Sequence, residues 1–215
     1  MTFKWYGNSC FLITTDSGTR ILTDPCDPST GYPEVHDIEA DIVTVSHEHF
    51  DHNYTEAVKG EPVILRGAGV TEVNGITFTG CASWHDEVQG AKRGLNTVFI
   101  IEANGLRIVH LGDLGHMPDE QLYAAIGKPD VLLTPVGGTF TVDAQQAGDI
   151  ARRTDATVII PMHFKTPVLS FDIAGVDPFL KVMADHTRHR LLQPELSLSA
   201  AAIGPKRVLV LDYVR

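Results

Sequence analysis

Three of the ten histidines fall within six residues, His47-Glu48-His49-Phe50-Asp51-His52. In a chain of this composition an H-x-H-x-D-H string arises by chance roughly once in several hundred sequences. The spacing suits metal chemistry. In extended backbone His47 and His49 project from one side, so both imidazoles can reach one ion. Asp51 and His52 lie past the bend and can serve a second ion nearby. The competing account is a solvated polar loop. It is disfavoured because imidazoles this dense repel one another when protonated and gain little when neutral, unless they share a cation.

Three downstream positions join this cluster. His85 stands in Ala82-Ser83-Trp84-His85-Asp86, Asp113 in His110-Leu111-Gly112-Asp113, and His163 in Ile159-Ile160-Pro161-Met162-His163. Each falls at the end of a predicted strand, where α/β sheets place their sites. A lone histidine there is more often structural; the series together is not.

The order H-x-H-x-D-H, then His, Gly-Asp and His resembles the full ligand series of the metallo-β-lactamase superfamily of metal-dependent hydrolases. Gly7-Asn8-Ser9-Cys10-Phe11-Leu12-Ile13, Ile21-Leu22-Thr23-Asp24-Pro25, Pro135-Val136-Gly137-Gly138 and Pro161-Met162-His163-Phe164 resemble its branch of small single-domain members related to ascorbate-6-phosphate lactonase. The resemblance implies an αββα sandwich with the site at one edge of two sheets. It also implies a dinuclear site. His47, His49 and His85 would hold the first ion, Asp51, His52 and His163 the second, and Asp113 would bridge both.

The donor set has its own chemistry. Five imidazoles and two carboxylates without a thiolate suit borderline divalent ions, Zn²⁺ first, with Mn²⁺ and Fe²⁺ also accepted. A structural zinc would more often be closed and cysteine-rich. Such a site lowers the pKa of bound water from 15.7 towards ~7, and two ions ~3.5–4 Å apart can bind both the attacking oxygen and the one gaining charge. The expected reaction is attack by metal-bound hydroxide on a carbonyl or phosphorus. Asp51 is the candidate catalytic carboxylate, orienting the hydroxide or accepting its proton.

Substrate contacts are sought in three places. The loop Asp86–Asn96 carries Lys92 and Arg93 between Gly90 and Gly94, so His85 could bring these cations to an anionic substrate. Lys165 follows His163 and could reach the same cleft. Gly137-Gly138-Thr139 could offer backbone N–H groups to an anion. His110 reads as a satisfied, partly buried residue, His116 as a supporting group or proton donor, and His36, His186 and His189 as surface residues.

The elements that must position these groups follow from pattern. Strands are expected at Phe3–Tyr6, Cys10–Thr15 and Arg20–Thr23 as an antiparallel meander, then a loop at Asp24–Pro33. Asp41–Ser46 is a nearly continuous apolar run, as for a strand covered on both faces. Asn53–Lys59 reads as a short helix with Asn53 as cap, Glu56 at the capping-box distance and Gly60 as stop. Strands follow at Pro62–Leu65, Ile76–Thr79, Thr97–Glu102 and Leu106–Leu111, the last two joined by the hairpin signal Asn104-Gly105. Helices at Pro118–Ile126, Asp143–Arg153 and Asp177–Asp185 then alternate with strands at Asp130–Thr134, Thr157–Pro161 and Arg207–Tyr213. Two packed sheets with helices outside are expected. No linker divides the chain, so residues 1–215 read as a single domain.

Composition narrows the partners. The 215 residues are 43% hydrophobic and 20% charged, with a net charge of −10. This weighs against a dominant basic face for long nucleic acid. Cys10, Cys26 and Cys81 are widely spaced and read as reduced, buried thiols of a cytoplasmic protein. The N-terminus has no signal-peptide pattern, and no apolar run approaches the ~20 residues of a membrane span. The expected function is metal-dependent hydrolysis of a small anionic lactone, ester or phosphate ester. The alternative is a phosphodiesterase or nuclease acting on nucleotides or RNA. Homo-oligomerisation stays open.

Overall fold

The computed structural model of the protein describes residues 1–32 and 37–215. Pro33, which ends the expected loop, and His36 lie outside them. Thr2–Gly7 (β1) buries every second side chain, including Phe3 and Trp5. It forms the expected antiparallel meander with Cys10–Thr14 (β2) and Arg20–Thr23 (β3). Ile42–Val45 (β4) is buried along its whole length and pairs in parallel with β3 and with Val63–Arg66 (β5). Gly69–Val73 (β6), Ile76–Trp84 (β7), Leu95–Ala103 (β8) and Leu106–His110 (β9) form an antiparallel series. At the β8–β9 turn, Asn104 and Gly105 take φ values of 51° and 73°, the left-handed pair a two-residue hairpin needs.

Strands and helices then alternate: Glu120–Ile126 (α1), Val131–Pro135 (β10), Ala144–Arg153 (α2), Val158–Met162 (β11) and Asp177–Val182 (α3). Thr187–Arg190 (β12), Glu195–Ser197 (β13) and Arg207–Val210 (β14) close the chain. Each longer helix start has a chemical reason. The Asp119 carboxylate accepts from Leu122 N–H, and Asp143 and Gln146 form a reciprocal capping box on α2.

Two sheets result, in the orders β13-β1-β2-β3-β4-β5 and β12-β14-β11-β10-β9-β8-β7-β6. One apolar core joins them, including Phe3, Trp5, Phe11 and Ile13 from the first sheet and Phe78, Ile101 and Ile108 from the second. Leu122, Ile126, Ile150 and Phe179 bring α1, α2 and α3 into the same core. The opposite side chains of β2, β3 and β4 (Cys10, Leu22, Val43, Val45) pack in a second cluster with Cys26, Tyr32, Leu169 and Ile173. This is the expected sandwich, with one layer reduced. Among the described residues, 3₁₀ turns and irregular segments rather than α-helices supply that second cluster's cover.

The expected helix at Asn53–Lys59 is therefore only a 3₁₀ turn, Thr55–Ala57. Asn53 does not cap it: its amide donates to the Glu48 carbonyl and carboxylate instead. The backbone is also drawn aside, Tyr54 N–H to Pro25 and Lys59 N–H to Ile38. Strands β6, β12 and β13 were not expected. The helix α3 stops at Val182 rather than Asp185, and β14 at Val210 rather than Tyr213. His189 is exposed as expected, whereas the His186 side chain is only 12% exposed, held beside Asp185. Cys10 and Cys26 are buried, Cys81 half-buried, and all three are free thiols.

Candidate metal centre

The strand ends bring the expected residues together. His47 lies two residues past β4, His85 directly past β7, Asp113 three past β9 and His163 directly past β11. Asp51 and His52 stand in the turn after His47. Two groups form, His47, His49 and His85, and Asp51, His52, Asp113 and His163; within each, the potential donor atoms lie within 4.8 Å of one another. All are buried except His49.

The spacing tests whether a metal fits. Donors 2.0–2.1 Å from a tetrahedral ion stand ~3.3 Å from one another. Here His47 Nε2 and His49 Nδ1 are 3.0 Å apart. Asp113 Oδ2 lies 3.3 Å from His52 Nε2, 3.3 Å from His85 Nε2 and 3.2 Å from His163 Nε2. The other oxygen, Asp113 Oδ1, is buried and accepts no hydrogen bond from the described residues. A charged oxygen without a donor is costly in a protein interior, and a cation would satisfy it. The residues fit a metal.

Ring orientation is set from behind. Ser46 Oγ donates to Asp24 Oδ2 at 2.6 Å, so it accepts from His47 Nδ1 at 3.0 Å. His52 Nδ1 donates to the same Asp24 oxygen at 2.8 Å. One buried carboxylate thus anchors the Nδ1 side of a histidine in each group and leaves both Nε2 atoms facing the centre. Asn8 holds Asp51, donating from Nδ2 to Oδ2 at 3.1 Å and to the main-chain oxygen at 3.3 Å. Asn96 Oδ1 accepts from Asp113 N–H at 2.9 Å while its amide holds the Leu111 carbonyl and Ser83. The sequence marked Asn8 and Asp24 only as parts of a resemblance, and Asn96 as a loop end; none was assigned a role.

Electrostatics follow from this packing. Burial pushes the His47 pKa down to about 3 and lowers that of His85. Burial also opposes charge on His52, but Asp113, Asp51 and Asp24 outweigh it and raise its pKa well above the ordinary value. Burial works against the Asp113 carboxylate, yet His163 and His52 hold its pKa well below the carboxylate range. Asp51 is held at about 2, burial again being overcome, chiefly by His52.

A cavity of about 440 Å³ opens on the cluster, lined by Glu48, His49, Phe50, Asp51, His85, Arg93, Asp113, Phe140, His163 and Phe171. Of the expected substrate contacts only Arg93 lines it. Lys92 is exposed, paired with Glu87 and outside that lining. The Lys165 ammonium is held by the Leu169 and Phe171 carbonyls. The loop itself is ordered by Asp86, whose buried carboxylate accepts from the N–H groups of Val88, Gly90, Lys92 and Arg93. Those bonds hold its pKa at about 2 against desolvation.

Gly137 and Gly138 line a different cavity, with Thr139 and Asp143. Gly137 has another purpose: a Cβ there would stand 2.3 Å from the His163 carbonyl oxygen. His110 is wholly buried and satisfied, between the Ser9 carbonyl and Gly112 N–H. His116 is no proton donor to the cavity. Its Nε2 accepts from Trp84 N–H and its Nδ1 meets the Met117 carbonyl, which steadies the backbone before His85.

A family model described as the beta-lactamase superfamily domain matches residues 2–163. The chain belongs to the metallo-β-lactamase superfamily. It is similar to a UPF0173 metal-dependent hydrolase of Methanoculleus marisnigri, 33% identical across 96% of this chain and 99% of that protein. A superfamily structure from Thermotoga maritima superposes with TM-score 0.79 at 36% identity, covering 98% of each chain. An isothiocyanate hydrolase from Delia radicum gut bacteria shares the fold, with TM-score 0.69 at 11% identity over 97% and 95% of the two chains. This metallo-β-lactamase superfamily member is a metal-dependent hydrolase. No helix among its described residues is long and apolar enough to cross a membrane.

Proposed function

We propose that residues 1–215 act as one domain that hydrolyses a small anionic lactone, ester or phosphate ester at a dinuclear centre. His47, His49 and His85 would hold the first ion, Asp51, His52 and His163 the second, and Asp113 would serve both. Zn²⁺ is the first choice, with Mn²⁺ or Fe²⁺ also suited to the donors. The observation that carries this reading is Asp113 Oδ2, within 3.3 Å of His85 in one group and of His52 in the other. Ions held there would supply hydroxide near neutral pH and polarise the bond under attack.

The chain's own groups do the rest. Asp51, fixed by Asn8 and lining the cavity, orients the attacking water and accepts its proton. Asp24 keeps the His47 and His52 rings turned inward. The free thiols support a cytoplasmic setting.

Elemental analysis after reloading with Zn²⁺ or Mn²⁺ is expected to approach about two ions per chain. The loaded protein is then screened on lactones, carboxylic and thioesters, phosphomonoesters, phosphodiesters and β-lactams. Turnover of a lactone, ester or phosphomonoester, lost on chelation and restored by metal, is the expected result. A reproducible ceiling of zero ions removes the reading, and a ceiling of one removes the bridge. Turnover confined to phosphodiesters transfers the protein to the nucleotide class.

A further inference from the structure

The wall of the cavity away from the candidate ligands has two chemistries. Three phenylalanines from three separate segments stand together: Phe50 from the ligand turn, Phe140 after β10 and Phe171 after β11. The Phe171 ring lies 5.9 Å from Phe50 and 6.4 Å from Phe140, edge-on to both. Phe50 is 50% exposed. An apolar cluster left open to water at the mouth of a small-molecule-sized cavity marks a surface that an apolar ligand group would cover.

Arg93 supplies the other chemistry. It is the one arginine or lysine lining the cavity among the described residues. Its guanidinium lies 5.3 Å from the Phe140 ring centre, and its hydrogen bond is a long one, 3.3 Å, to the Thr139 carbonyl. No carboxylate among the described residues pairs with it. Glu48, the acidic lining residue outside the ligand set, is already balanced by Arg66 at 2.7 Å and Asn53 at 2.9 Å. Stacking on the ring and the Asp86-anchored loop hold the guanidinium in place while its fork remains available for a planar anion.

We propose that the cavity selects a substrate whose flat, apolar body carries a negative charge remote from the scissile bond. The body packs against Phe50, Phe140 and Phe171, and a carboxylate or phosphate on it meets Arg93. This rests on the hydrolase reading only for the place of the scissile bond.

Binding rather than turnover tests it. Titration calorimetry of the metal-loaded protein compares benzoate, succinate, isophthalate and terephthalate. Benzoate lacks the second charge and succinate lacks the ring; the two phthalates carry both at different reaches. The better phthalate is expected to bind about tenfold more tightly than either single-feature probe, as one charged hydrogen bond or one ring contact allows. Arg93→Gln is expected to erase the advantage over benzoate, with Arg93→Lys keeping part of it. Phe50→Ala is expected to reduce the advantage over succinate.

In the unmodified protein the gap over benzoate must also close as NaCl is raised. That measurement decides the matter if an Arg93 variant loses metal or melts early. Equal binding of all four probes, or a gap insensitive to salt, overturns the proposal. A retained binding preference with no turnover on the hydrolase screen removes the proposed lactone, ester and phosphate-ester substrates and leaves the selectivity. Turnover without the preference does the reverse.

Discussion

Asp113 and Asp24 occupy one cluster but act from opposite sides of it. Asp113 touches histidines of both groups, so Asp113→Ala is expected to weaken binding at both proposed positions, whereas Asp51→Ala and His163→Ala should mainly empty the second and His49→Ala the first. Asp24 meets the outward nitrogen of His52 and, through Ser46, whose N–H and hydroxyl it also accepts from, that of His47. Asp24→Asn therefore leaves every donor present, and metal affinity is expected to fall about 10- to 100-fold. Competition with a chromophoric chelator measures both. Full metal content and activity in Asp113→Ala would sink the bridge, and unchanged affinity in Asp24→Asn would sink the orienting role. The candidate donors, and their convergence on one cluster, were legible in the sequence because histidine is rare and three of them crowd into six positions. Asn8 and Asp24 were not assigned, because a polar residue beside a turn reads as a turn former. Asn8 acts on Asp51, 43 positions away, and no local pattern carries that.

At the scale of elements, the site depends on strands ending where glycine lets another backbone come close. His163 follows β11 with φ of 48°, a left-handed conformation that costs a non-glycine residue on the order of 1 kcal/mol or more. The β10–α2 connection presses against it: a Gly137 Cβ would sit 2.3 Å from the His163 carbonyl. Gly137→Ala is thus expected to displace His163, lower metal content at the second position and cut activity more than about tenfold, with a smaller loss of thermal stability. Metal analysis beside a melting curve separates these; a lower Tm with full metal content would show general damage instead. The buried strands β4, β9, β10 and β11 were legible because their apolar runs are long and their ends carry turn signals. β12, Thr187–Arg190, is exposed at every residue, and β6 is exposed at four of five, so neither shows the alternation that marks a strand. The segment after Asn53 had the letters of a capped helix, but its cap was drawn to Glu48, a competition between local and tertiary bonds that propensity does not weigh.

For the whole molecule, metal, proton and fold compete at His52. In the metal-free protein the raised His52 pKa means its proton is bound at neutral pH, while His47 and His85, with lowered values, are neutral and Asp51 and Asp113 are charged. A raised folded-state pKa contributes stability that is fully present below the unfolded value of about 6.5 and is lost as pH rises through the folded value. The lowered values of His47 and His85 act in the opposite sense, but below about pH 6.5, outside that window. With His52 as the proposed ligand, metal binding must expel its proton, so affinity is expected to rise with pH and loading at neutral pH to acidify a weakly buffered solution. Thermal melts of chelator-stripped and metal-loaded protein between about pH 6.5 and 9 are expected to diverge. The stripped form falls in Tm with rising pH, and the stabilisation gained from a fixed metal excess grows. In His52→Gln the stripped protein is expected to lose that decline, since no proton is held there. A stripped wild-type Tm that climbs over this window, or a metal stabilisation that shrinks, would show that the His52 proton is not what the ions displace.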